Sequence, residues 1–120
     1  MKHFFLSLTI FIIILSGSFA AHIYTKNIVD DIDTLITPVT KSQQVSETDI
    51  RNTEKIKDIF EKNKDMLRFF VNKEHIQKVE ISILLLDNAV QSGDRDKMRE
   101  CGLEIASMLD HIESYLTAFN

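Results

Sequence analysis

The sequence of 120 residues has one cysteine, one proline, three glycines and no tryptophan. Each scarcity removes a class of protein. Cys101 has no mate within the chain, so a disulfide-stapled scaffold and a multi-cysteine zinc site are both excluded by counting. With Pro38 as the sole proline and so few glycines, the closely spaced turns of a β sandwich or barrel have nothing to form them. The fold class expected is therefore all-α. Basic residues number 14 against 18 acidic ones, well mixed along the chain, so no basic stripe exists to track phosphates and no nucleic-acid partner is expected. Catalytic motifs are lacking too. Ser82, Ser107 and Ser114 have no G-x-S-x-G context, and Gly93 and Gly102 belong to no phosphate-cradling loop. No enzyme and no cofactor are expected.

What the sequence does have is a long apolar start. Lys2 and His3 precede Phe4 to Leu15, a stretch interrupted only by Ser7 and Thr9, as in the n-region and h-region of a signal peptide. Ser18 and Ala20 satisfy the small-x-small rule for cleavage after Ala20, giving a signal peptide of residues 1–20. The competing reading counts onward. Phe4 to Tyr24 holds no full charge, and about 21 helical residues span about 30 Å, the thickness of the hydrocarbon core. Beyond the candidate cut, Ile28, Val29, Ile32, Leu35 and Ile36 continue at helical spacing with Asp30, Asp31 and Asp33 between them, which favours a membrane anchor over a cleaved signal. In either case Lys2 stays inside and the body of the chain lies outside the cytoplasm, a single-pass cell-membrane topology for the anchored form.

Residues 1–37 are thus expected to form the anchor with a juxtamembrane helix, ended at or before Thr37 because proline disfavours helical geometry in the residue before it. Residues 38–46 are expected as a linker and 47–120 as an extracytoplasmic helical domain. Ser46 with Asp49 three residues on is an acidic version of the capping box, so a helix starts there. It carries Ile56, Ile59, Phe60, Leu67 and Phe70 on one face, with the interleaved lysines and acids as a solvated face of i,i+4 pairs. Ile76, Val79, Ile83, Leu86 and Val90 then step by three and four as heptad positions do, widened by Leu84 and Leu85. Their phase is displaced from the preceding helix, which predicts a break near Asn72. After "QSGD", Met98, Cys101, Ile105, Met108, Ile112, Tyr115 and Phe119 repeat the steps, with Leu103, Leu109 and Leu116 alongside. The last two helices make an antiparallel hairpin about Ser92 and Gly93. Cys101 takes a d position, where a thiol is buried and inert.

The hairpin register brings two histidines level. His75 lies seventeen residues before the turn centre and His111 eighteen after it, each at a g position, and g faces g across an antiparallel pair. With Glu74, Asp110 and Glu113 close in sequence, His75 and His111 are candidate ligands for zinc or another divalent ion. The plainer reading is a hydrogen-bonded pair flanking an ordinary core, and the lack of a short-range motif such as H-E-x-x-H favours it.

The stretch "EHIQKVEISILLLDNAVQSGDRDKMRECGLEIASMLDHIES", residues 74–114, resembles a family of uncharacterised small single-pass proteins of spore-forming Gram-positive bacteria that carry a domain of unknown function. The matching places are His75, Glu80, the "SGD" turn and the "LDHIE" segment; where many members have tryptophan, this chain has Phe60 or Leu67. The resemblance implies an uncleaved N-terminal anchor and an extracytoplasmic helical domain that serves a multi-pass membrane protein, and it implies no activity. A module that binds a protein partner or a second copy through apolar helix faces is the expected function. A metal or small-ligand sensor using His75 and His111, or a secreted helical protein, is the alternative.

Overall fold

The computed structural model describes residues 2–117, with the side chains of 2–114. Its described residues form four helices and no strand: α1 (Lys2–Lys41), α2 (Glu47–Phe70), α3 (Lys73–Ser92) and α4 (Arg95–Thr117). Each helix packs on two neighbours, α1 on α2 and α4, and α3 on α2 and α4, so the four form a square, antiparallel up-down-up-down bundle. The molecule measures 67 × 23 × 23 Å. That length is set by α1, whose 40 residues reach about 60 Å at 1.5 Å per residue.

The two halves of α1 differ in kind. From Phe4 to Leu15 the large apolar side chains are all exposed, as are Phe19 and Ile23. From Thr25 onward one face, Ile28, Val29, Ile32, Ile36 and Val39, is buried among the other three helices. The apolar half is long and apolar enough to cross a membrane by length and composition, and none of it is buried within the fold.

The expected end of this helix at Thr37 is not found, because α1 runs through Pro38 to Lys41. Proline inside a helix costs about 3 kcal/mol, through a lost N–H and a clash with the carbonyl four residues back. Complete burial of Ile36 and Val39, worth about 1.5–3 kcal/mol each, outweighs that cost. Pro38 and Thr34 both face solvent, so water can reach the orphaned Thr34 carbonyl. The segment between helices therefore shrinks from 38–46 to 42–46, and residues 25–41 belong to the bundle rather than to a separate juxtamembrane element.

Helix α2 begins where the sequence indicates. Ser46 is its N-cap, and a complete capping box joins Ser46 to Asp49. The Asp49 carboxylate is buried and accepts from the Ser46 backbone N–H at 3.0 Å and from the Ser42 hydroxyl at 2.7 Å. The chain breaks after Phe70, and Asn72 caps α3 by accepting from the Glu74 N–H at 2.9 Å. Gly93, at φ 73°, closes α3 in the left-handed conformation that glycine adopts without a Cβ penalty.

The heptad residues of α3 are all buried, but Leu84 and Leu85 are not: with Ile81 they form an exposed apolar patch on the outer face. On α4, Met98, Cys101, Ile105, Leu109 and Ile112 are buried, Met108 is half-buried and Leu103 is exposed. The side chains of Tyr115 and Leu116, and all of Phe119, lie outside the described residues. The α2 lysines do more than pair along their own helix. Lys57 reaches Asp87 on α3 at 3.3 Å, and Glu80 on α3 lies 3.5 Å from Lys64 and 3.6 Å from Arg68. Glu61, and then Glu80, hold the Lys64 ammonium above its ordinary pKa.

Candidate functional site

The end of the bundle from which the apolar half of α1 projects is where chemically distinctive side chains collect. Antiparallel order puts there the start of the buried part of α1, the α2–α3 corner and the end of α4. Asn72 fixes the first turn of α3 and so sets the direction of His75. Across the hairpin lies His111, and the two ring centres are 5.4 Å apart with their planes inclined at 55°. The structure thus brings the two histidines together. His75 is half-buried and His111 exposed. On one side the rings border a small cavity of about 70 Å³ lined by Val71, Asn72 and Ile112. On the other they border a more open cleft lined by Lys78, Ser107, Met108 and Ile112.

Two imidazoles on one tetrahedral ion, with zinc about 2.0–2.1 Å from each ligating nitrogen, place ring centres about 5 Å apart. The separation of His75 and His111 fits. The donor set is short, however. Among the described residues no group of three or more His, Cys, Asp or Glu side chains is placed to hold an ion. Glu74 and Asp110 are exposed on their own helices, and Glu113 is half-buried. A bound ion would take two protein ligands and complete its shell with water.

Cys101 is remote from this end. It is buried on α4 beside Gly102, where burial first, and then the Glu100 and Glu104 carboxylates, push its thiol above the ordinary pKa. A neutral buried thiol has no nucleophilic role.

A second cluster at the same end is aromatic. Tyr24, on the last turn of the uncharged stretch of α1, donates its hydroxyl to the Asn63 side-chain oxygen on α2. Its ring meets Phe70 edge-on at 6.3 Å, and Phe70 meets Phe69 at 5.3 Å. Beside them a concave notch of about 730 Å³ opens between α1 and the corner, lined by Ile14, Gly17, Ser18, Ala21, His22, Thr25, Phe69 and Phe70. The helical spacing places Phe70 on the apolar face of α2 and by itself gives no link to Tyr24. The available signal was an aromatic at the end of the apolar run matched by two more immediately before the helix break.

Comparison with family models, with curated proteins and with solved structures found no match to this chain. The class of molecule defined here is thus an architectural one, a four-helix bundle whose first helix extends into an exposed apolar rod.

Proposed function

We propose that the chain is a single-pass membrane protein whose bundle stands outside the cytoplasm as a non-catalytic interaction module, accessory to a membrane protein or self-associating. The observation that supports this reading best is the continuity of α1. One helix supplies both the exposed apolar rod and a quarter of the buried core, so force or orientation at the bilayer passes into the bundle without a flexible joint. The hairpin's inner faces are covered by α1 and α2, which leaves Ile81, Leu84 and Leu85 as the apolar face on offer to a partner.

The test is N-terminal sequencing of the mature protein, combined with protease accessibility of a C-terminal tag in intact cells. An intact N-terminus in the membrane fraction with an externally digestible tag is expected. A soluble protein beginning at Ala21 would overturn the anchored reading in favour of a secreted bundle. That outcome is structurally permissible, because every buried residue of α1 lies at or beyond Thr25.

The separation of His75 and His111 favours a second reading, in which the same module senses or carries a divalent metal. Because one ligand lies on α3 and one on α4, an ion would clip the two helices together where the hairpin opens.

A further inference from the structure

Phe69 is 82 % exposed, more than any other large apolar side chain among the described residues, including those of the apolar rod. We infer that the α2–α3 corner is a second membrane contact, with Phe69, and Met66 one turn before it, bedded in the boundary between headgroups and acyl chains of the bilayer that α1 crosses. This inference rests on the anchored reading above.

Depth carries the argument. The uncharged stretch Phe4–Tyr24 matches the hydrocarbon thickness of about 30 Å, so the outer boundary falls close to Tyr24 and Lys26. The corner sits at that level. Phe70 touches Tyr24, and the notch beside Phe69 is walled by α1 residues from Ile14 to Thr25, on the bilayer side of the first buried residue of α1. No Asp, Glu, Lys or Arg lines the notch, and Ile14, Ala21, Phe69 and Phe70 give it apolar walls that acyl chains can cover. Tyr24, of a residue type enriched where a protein meets the interface, contacts Phe70, and Phe70 contacts Phe69, so the three rings are continuous at this level. Exposed Lys26 and Lys73 follow immediately in sequence on the two elements, at the height of lipid phosphates.

Two points of contact, α1 and the corner, fix the tilt and rotation of the bundle where a single helix would fix neither. The α3 patch from Ile81 to Leu85 then stands about 12 to 18 Å above the corner, at 1.5 Å per residue from Lys73.

The lack of tryptophan makes the test direct, since Phe69→Trp introduces the only indole of the chain. The full chain, carrying either Phe69→Trp or Gln91→Trp at the opposite end, is reconstituted into phosphatidylcholine–phosphatidylglycerol vesicles. Bromine is placed on the lipid chains near the headgroup or near the bilayer centre. The expected result is flotation of both variants with the vesicles, a blue shift and loss of most emission for Phe69→Trp with the shallow bromines, a smaller loss with the deep ones, and neither change for Gln91→Trp. Flotation with Phe69→Trp emission as red and as unquenched as that of Gln91→Trp overturns the second contact and leaves the anchor standing. Failure of both variants to float overturns the anchored reading, and this inference with it.

Discussion

Gly102 on α4 lies against Thr40 on α1 so closely that a Cβ at position 102 would stand 3.0 Å from the Thr40 methyl, with Ile36 and Val39 at 3.8 Å. Absence of a side chain is what lets α1 and α4 approach there. Gly102→Leu should overpack this contact and cost about 1–3 kcal/mol in urea unfolding. Thr40→Ala in the same chain should recover part of the loss. A neutral Gly102→Leu would mean that α1 does not pack at this site.

Asp49 holds the start of α2 and the end of α1 together by accepting from both Ser46 and Ser42. Asp49→Ala removes the reciprocal half of the capping box and leaves the part-buried Ser46 N–H and Ser42 hydroxyl without their acceptor, so a loss in the upper part of the range for a cap, about 0.5–2 kcal/mol, is expected. Ser46→Ala, which leaves the Ser42 contact in place, should cost less. Chemical denaturation of the two variants ranks them.

The raised pKa of Cys101 has a defined sign for stability. Below the ordinary thiol value both the folded and unfolded chains hold the proton, and the contribution to stability does not change with pH. Above about pH 8.5 the unfolded chain releases its proton first, so stability declines as pH rises toward the higher folded value. Cys101→Ala should flatten this decline in melting experiments from neutral to alkaline pH. In the native chain a thiol reagent should label Cys101 only as fast as the fold opens.

If His75 and His111 hold zinc, the ion stabilises the bundle by mass action. Zinc at a hundredfold excess over its Kd would raise stability by about 2.7 kcal/mol. His75→Ala and His111→Ala should each abolish the rise, and a chelator should reverse it. Equal melting temperatures with and without zinc would leave the pair as a structural contact.

Much of this fold was legible because its signals are local. Ser46 and Asp49 announce a cap, Asn72 a break and Gly93 a turn, and each needs only neighbours within one helical turn. The level placement of His75 and His111 followed from counting outward from that turn. What escaped is decided by partners distant in sequence. Pro38 is a helix terminator by its own chemistry, and only the burial of Ile36 and Val39 keeps the helix going. Leu84 and Leu85 continue an apolar stripe in sequence, but the square packing gives α3 two neighbours and no third to cover them. Similarly, Lys57 and Lys64 have acids nearby on their own helix, and the cross-helix partners Asp87 and Glu80 appear only once α2 and α3 are docked. On α4, a four-residue step from Ile105 buries Leu109 where the heptad count favoured Met108.

The central claim is that residues 25–41 of α1 supply one of the four helices of the bundle, joined without interruption to the apolar rod. Native-state hydrogen exchange on the full chain in detergent micelles measures this directly, amide by amide. Amides of Ile28, Val29, Ile32, Ile36 and Val39 should exchange as slowly as those of Ile83 and Leu86, through global unfolding alone. Rapid exchange along residues 28–39, while α3 and α4 remain protected, would contradict it.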